Sequence, residues 1–322
     1  MRALLVLLMM LSLVGDVWSA EIKLVATGDI MAHMGNIKAA KTAYGYNFEQ
    51  FFAPEVVKVL RDGDLVIGNF ETRLAGKERR YTGYPAFNAP DELAQDLKIV
   101  GFNFLTTANN HVLDRGAAGI ERTNVLLSTL VIGNTGSFAT PQAAEKITVK
   151  RINGVDVAIL AYTYGTNGIP LPRGREYMVN IIDESKIISD IKKALAISEF
   201  IIVSLHWGDE YALKENKGQI ELAKILHKAG ADLIIGHHPH VVQGMQDFTQ
   251  AGQAKKLTFY SLGNFISGQT KKNTDRGYIL RATISKNDNE AKARLVDYEL
   301  VKTIVKRPVR NGIRSYSVEI LK

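Results

Sequence analysis

The sequence predicts an α/β protein with two mixed β-sheets in its core and helices outside. Three observations carry this. Apolar runs of strand length alternate with amphipathic helical stretches from residue 22 to residue 236. After residue 241 the rhythm changes to strands joined by polar turns. No linker rich in Pro, Gly or Ser interrupts the chain, so residues 21–322 read as one domain.

The elements follow in order. "IKLVATG" (22–28) is a strand, and "PEVVKVLRD" (54–62) a helix opened by proline. "DLVIGN" (64–69) is a strand. "APDELAQDLKIVG" (89–101) is a helix with Pro90 near its first turn and Gly101 at its end. "NFLTTA" (103–108) is a strand, and residues 119–130 a helix. "KITVKRINGVDVAILAY" carries two alternating runs around Asn153-Gly154, which signals a hairpin. A helix at 184–197, strand "FIIVSL" (200–205), helix 217–229 and strand "DLIIG" (232–236) follow. The later strands are "VVQGMQ", "KLTFYSL", "GYILRATIS" and "ARLVDYELV", with one more in the tail "VKRPVRNGIRSYSVEI".

Composition narrows the class. With 46% hydrophobic residues the chain can bury a large core, and 23% charged residues exclude wholesale disorder. A net charge of +7 favours a polyanionic partner or an anionic surface, or serves to keep a secreted protein soluble. No nucleic-acid partner is expected. There is no cysteine, which excludes a lipoprotein anchor, disulfides and thiolate metal ligands. Arg2 precedes an apolar stretch from Ala3 to Val14, and small residues follow near Ser19-Ala20. That pattern predicts a secretory leader over residues 1–20 and export to the periplasm or the cell exterior. An uncleaved membrane anchor is its alternative.

Several strands end in polar, metal-capable residues. The first ends in Asp29, the second in Asn69 and Glu71, and the third in Asn109, Asn110, His111 and Asp114. The next two give His206, Asp209 and Glu210, then His237, His238 and His240. The last segment, "LIIGHHPHVVQG" (233–244), places three of the chain's seven histidines within four positions. In an open α/β sheet the carboxyl ends of the strands share one rim, so these segments can converge. His, Asp, Glu and Asn without Cys form a ligand set suited to Zn, Mn, Fe or Co. Two such ions bridged by a carboxylate clamp a phosphoryl group and activate water. Asp29 or Glu71 suits the bridge, Asn110 supplies a neutral oxygen, and His206, His238 and His240 supply nitrogen. Pro239 fixes φ between two of them. His237 is expected to support the site from behind. His33 is expected in an exposed loop, with the cleft as its alternative. His227 is expected on a helix with no chemistry, and Asn264 either at the rim or in a turn.

"GDI" (28–30), "DLVIGNFET" (64–72), "NNHVLDRG" (109–116), "LHWGDEY" (205–211), "GHHPHVVQG" (236–244) and "YSLGNFI" (260–266) resemble the capsule-synthesis CapA family. That family is associated with poly-γ-glutamate capsules and lies in the calcineurin-like metallophosphoesterase superfamily. The resemblance implies a four-layer αββα sandwich, metallophosphoesterase-like, with one or two divalent ions (Mn, Zn or Fe) at the strand ends. It implies metal ligation by Asp29, Glu71 (or Asn69), Asn110, His206, His238 and His240. His111 then contacts phosphate or leaving group, and Asp114 orients it. Met31 stands where the superfamily has a histidine, which leaves one metal position short of a ligand. The partners implied are an anionic cell-surface polymer or a phosphoester substrate, and capsule-synthesis membrane proteins. The basic segments 77–80, 271–272 and 305–310 suit a polyanion or are solvated loops. The functions in contention are a metal-dependent hydrolase of capsule synthesis or export, a non-catalytic polymer-binding subunit, and a general secreted phosphatase or nucleotidase.

Overall fold

A computed structural model describes residues 19–310 and 313–321. The expected leader therefore lies outside the described residues, apart from Ser19 and Ala20. Those two open the first strand, Ser19–Ile30.

Apolar residues two apart along a strand share a face, and this alternation builds the layers. One eight-stranded sheet runs in the order Ser317–Ile320, Arg294–Lys306, Arg276–Asn287, Ser19–Ile30, Leu65–Phe70, Phe104–Thr106 and Gly133–Thr135. Its remaining strand, Asn264–Ile266, pairs with the end of Ser19–Ile30. The second sheet has six strands, ordered Met245–Asp247, Leu257–Phe259, Leu233–His237, Phe200–His206, Val155–Thr163 and Thr148–Ile152. The last two form the hairpin expected at Asn153-Gly154.

On the first strand Ile22, Leu24 and Ala26 face the second sheet, where Val157, Ile159, Ile202 and Ile235 meet them in one core. Val25 and Val66 face the other way, under the helices Pro54–Arg61 and Glu92–Val100. The outer face of the second sheet buries Leu160, Val203 and Ile234 beneath Glu184–Leu195 and Lys217–Ala229. Helix, sheet, sheet and helix thus stack as four layers. No helix among the described residues is long and apolar enough to cross a membrane.

Three departures from the sequence reading have local causes. A short helix, Met34–Ala40, follows the first strand. The strand Gly133–Thr135 edges the first sheet although it carries no apolar run. "VVQGMQ" pairs as a strand only from Met245 to Asp247. Before that, His240 sits at φ 57° and turns the chain away from the sheet direction.

Strand direction places the site. Ser19–Ile30, Leu65–Phe70 and Phe104–Thr106 run parallel, as do Val155–Thr163, Phe200–His206 and Leu233–His237. Register aligns Asp29 with Asn69 and Asn69 with Thr106 in one sheet. It aligns Thr163 with His206 and His206 with His237 in the other. Both rows lie at carboxyl ends of strands, and a contact of 3.4 Å between Ser204 Oγ and Thr106 Oγ1 joins the sheets there.

Candidate metal centre

Two glycines let the strands close on one another at the rim. A Cβ on Gly28 would lie 1.9 Å from the carbonyl oxygen of Gly263, and one on Gly236 1.9 Å from that of Tyr260. Only glycine permits either approach. Asp29 follows the first of these glycines, and the histidine run follows the second.

The side chains then converge. Asp29, Glu71 and His206 offer ligand atoms within 4.8 Å of one another, and so do Glu71, His238 and His240. Glu71 belongs to both groups and is fully buried. His240 Nδ1 lies 2.9 Å from Asp29 Oδ2, and its Nε2 lies 3.8 Å from Glu71 Oε1. His206 Nε2 lies 3.6 Å from the same Glu71 oxygen and 2.9 Å from Asn110 Oδ1. Asn110 donates through Nδ2 to Asn167 Oδ1 at 3.0 Å, which turns its carbonyl oxygen toward His206. All six residues expected as ligands therefore meet in one buried cluster.

Asn69, the alternative to Glu71, presents donors instead. Its Nδ2 donates to Asp29 Oδ1 at 2.8 Å and to Glu71 Oε2 at 3.3 Å, holding the two carboxylates in place. His237 Nδ1 lies 3.5 Å from Asp29 Oδ1, behind the cluster as expected. Asp209 turns outward and accepts from Asn216 Nδ2 at 2.8 Å. Asn264 is buried beside Asp29 in register and donates to Gln269 Oε1 and the Thr274 carbonyl. His227 lies far from the cluster in its helix, with both ring nitrogens engaged.

His33 departs from the expectation of an exposed loop. It is partly buried and lines the cleft beside the cluster, edge-on to Phe87 with ring centroids 5.1 Å apart. His111 lines the same cleft. Its Nδ1 lies 2.8 Å from Asp114 Oδ2, the same oxygen that accepts from the Phe87 N–H at 2.6 Å. Two further side chains had no signal of their own in the sequence. Tyr164 packs on His238, with centroids 4.5 Å apart, and Asn167 reaches Asn110. Tyr164 directly follows the strand Val155–Thr163, so its position at a strand end is the clue that could have found it.

Electrostatics mark the cluster as incomplete without a cation. Burial, then the Asp29 and Glu210 charges, push the Glu71 carboxyl well above the usual range. Burial also pushes Asp29 upward, but hydrogen bonds from His237 and His240 outweigh it and hold Asp29 well below its usual range. Burial lowers His206, and burial with the His240 charge lowers His238 to about 3, so both rings are neutral and keep a lone pair for a metal. Glu71 Oε1 and His238 Nδ1 are buried with no hydrogen-bond partner among the described residues. Such atoms are costly unless something meets them. Two tetrahedral donors each about 2.1 Å from one ion lie about 3.4 Å apart, and His206 Nε2 and Glu71 Oε1, 3.6 Å apart, come close to this spacing. The donor set fits a divalent cation.

The backbone supports the same conclusion. His238 and His240 take φ of 97° and 57°, a region that costs a non-glycine residue about 1–3 kcal/mol. The segment is pinned by the His238 N–H donating to Asp29 Oδ2 at 3.3 Å and the Tyr211 N–H donating to the Pro239 carbonyl at 2.8 Å. Pro239 thus sits between two strained residues that aim their rings at one point.

The family model described as "Bacterial capsule synthesis protein PGA_cap" matches residues 23–269. The capsule biosynthesis protein CapA of Bacillus anthracis is 32% identical over 263 residues, covering 77% of this chain and 60% of that protein. The PGA biosynthesis protein CapA of Bacillus subtilis is 30% identical over 286 residues, covering 84% of this chain and 69% of that one. The chain therefore spans about two thirds of the length of these relatives. Among solved structures, a 5′-nucleotidase precursor from Thermus thermophilus superposes with a TM-score of 0.51 at 13% identity, covering 88% of this chain and 54% of that chain. A candidate 5′-nucleotidase from Staphylococcus aureus superposes with a TM-score of 0.56 at 15% identity, covering 91% and 56%. At such identities the likeness concerns the fold.

Proposed function

The chain belongs to the bacterial capsule synthesis protein family, and on that premise we propose that it is a divalent-metal-dependent phosphoesterase acting in synthesis or export of an anionic capsule polymer. Its place of action is outside the cytoplasm, and poly-γ-glutamate is the polymer in view. The observation that carries the reading is Glu71, a fully buried carboxylate shared by both ligand groups, with one oxygen that receives no hydrogen bond among the described residues.

Asp29, Glu71, Asn110, His206, His238 and His240 would hold one or two ions, with Mn, Zn or Fe suited to this nitrogen and oxygen set. Such ions, when bound, polarise phosphoryl oxygens and lower the pKa of water. The chain's own residues do the rest. Asn69 fixes the Asp29 and Glu71 carboxylates relative to each other. Asp114 accepts from His111 Nδ1, which fixes the ring and leaves Nε2 toward the cleft. There, when the ring carries a proton on both nitrogens, it can deliver the Nε2 proton to a departing alkoxide, the role of a general acid. Tyr164 shields the imidazoles from water by packing over His238.

Metal analysis followed by a phosphoester screen tests the reading. The protein should carry divalent metal and hydrolyse at least one phosphoester. His111→Ala should keep the metal and lower turnover about 10²-fold or more. If no phosphoester is hydrolysed above the His111→Ala background with any metal tried, catalysis is excluded and a polymer-binding role takes its place. One observation favours that second role: Met31, buried beside the cluster, offers no nitrogen where the superfamily has a ligand. The N-terminal sequence of protein recovered from its native host tests export, since an intact Met1 on a cytoplasmic protein would contradict it.

A further inference from the structure

Beside the cluster lies a pocket of about 220 Å³, lined by Met31, His33, Tyr84, His111, Tyr211 and Lys271 among others. We infer that this pocket receives the leaving-group side of the substrate, and that Lys271 selects leaving groups carrying a second anionic group. The inference rests on the reading of the cluster as a phosphoryl site.

Three of the segments that line the pocket press on one another without slack. A Cβ on Gly83 would lie 2.4 Å from the Met34 nitrogen, and one on Gly268 2.6 Å from His33 Cβ. The loops before Tyr84 and before Lys271 therefore both press directly on the His33 segment. The Gly268 N–H donates to His33 Nδ1 at 3.1 Å, so the proton of the neutral ring sits on Nε2. Burial, chiefly, keeps that ring neutral. Nε2 has no hydrogen-bond partner among the described residues, and it offers the pocket one donor for a neutral ester or hydroxyl oxygen.

Lys271 supplies the charge. Its Nζ stands 3.7 Å over the centroid of the Tyr211 ring and forms no ion pair among the described residues. A cation–π contact fixes an ammonium in position while leaving its N–H groups free to donate. Tyr211 is itself tied to the ligand loop through its N–H on the Pro239 carbonyl, and its ring centroid lies 6.1 Å from that of His240. The ammonium is thus held at a set place relative to the cluster. Glu210 is the acid among the lining residues, and it forms no ion pair with Lys271 among the described residues. Its charge disfavours an anion on its own side, which leaves the Lys271 side for the second anionic group. A carboxylate and a second phosphate share the chemistry that Lys271 recognises.

Non-hydrolysable ligands separate recognition from turnover. Calorimetry on the full chain loaded with Mn²⁺ would compare propylphosphonate, 3-phosphonopropionate and ethane-1,2-diphosphonate. The first carries one anionic group, and the other two add a carboxylate or a second phosphonate at the same reach. At least one ligand with two anionic groups should bind roughly fivefold tighter than propylphosphonate, the scale of an exposed charge pair. Whichever does so identifies the source of the second charge. Lys271→Met should bring that ratio close to one, and Lys271→Arg should preserve it. Equal affinities in the unaltered chain, or a ratio unmoved by Lys271→Met, overturn the subsite and leave the phosphoryl reading standing. Absence of binding by all three ligands overturns both.

Discussion

His227 and His238 are both 3% exposed, and burial pushes both imidazoles below the ordinary range, to about 4 and about 3. Their surroundings are otherwise opposite. His227 sits in a regular helix with Nδ1 3.0 Å from the Ala231 carbonyl and Nε2 2.8 Å from Thr258 Oγ1. His238 sits at φ 97°, with Nδ1 unmet and carboxylates and other imidazoles around it. A lowered pKa therefore says only that a histidine is buried. Unmet hydrogen-bonding capacity and a strained backbone are what mark a group kept for a ligand, because neither is retained when stability alone is at stake.

The strongest way to break the comparison is to remove the ligand side of it. His238→Ala with His240→Ala should lose most of the bound metal, measured by elemental analysis of purified protein, whereas His227→Gln should keep it. Full metal content in the double variant would sink the ligand assignment. Loss of metal in the His227 variant would show that the two regions are not independent.

Glu71 sharpens the contrast on the stability side. Its folded-state carboxyl is raised above the ordinary value of 4.5. The metal-free native state then holds a proton that the unfolded chain releases. Its stability is full below about pH 4.5 and falls as pH rises above it. Glu71→Gln should therefore stabilise the metal-free chain at pH 7.5, by roughly 1–3 kcal/mol, the scale of an unmet buried polar group. The same change should abolish tight metal binding. Denaturant midpoints of chelator-treated protein check the first part, and a destabilised variant would mean that Glu71 is a structural residue.

The contrast also explains what could be read from the sequence. The helices, the central strands and the convergence of the six clustered residues were legible because each of the six follows an apolar run, and register forces the carboxyl ends of parallel strands together. The short strand Gly133–Thr135 was not, since its pairing comes from a neighbour and not from its own residues. Tyr164 and Asn167 were missed, and His33 was expected in an exposed loop with the cleft only as its alternative, for a related reason. They reach the cleft through the path of loops, set by close approaches such as Gly268 against His33 and by left-handed Asn167 at φ 53°. No periodicity encodes such contacts. The choice between Asn69 and Glu71 depended on which atoms face inward, and that is a matter of side-chain packing alone.

His227 carries the smallest effect and the opposite sign to Glu71. Its folded pKa, about 4, lies below its unfolded value of 6.5, so the unfolded chain binds a proton that the native state refuses. Between those values stability rises with pH, with a limiting slope of about 1.4 kcal/mol per pH unit from this one group. The chain should thus lose stability on acidification through this window, while the Glu71 contribution to the metal-free chain improves in the same direction. His227→Gln removes the titration and at most two neutral hydrogen bonds. At pH 7.5 it should cost about 1–2 kcal/mol, and below pH 6 the gap to the unaltered chain should narrow. Urea midpoints for both proteins, metal-free, at half-unit steps from pH 5 to 7.5 measure this directly. Parallel curves would mean that His227 does not resist protonation, and the reading of it as a hydrogen-bonded structural residue would fall.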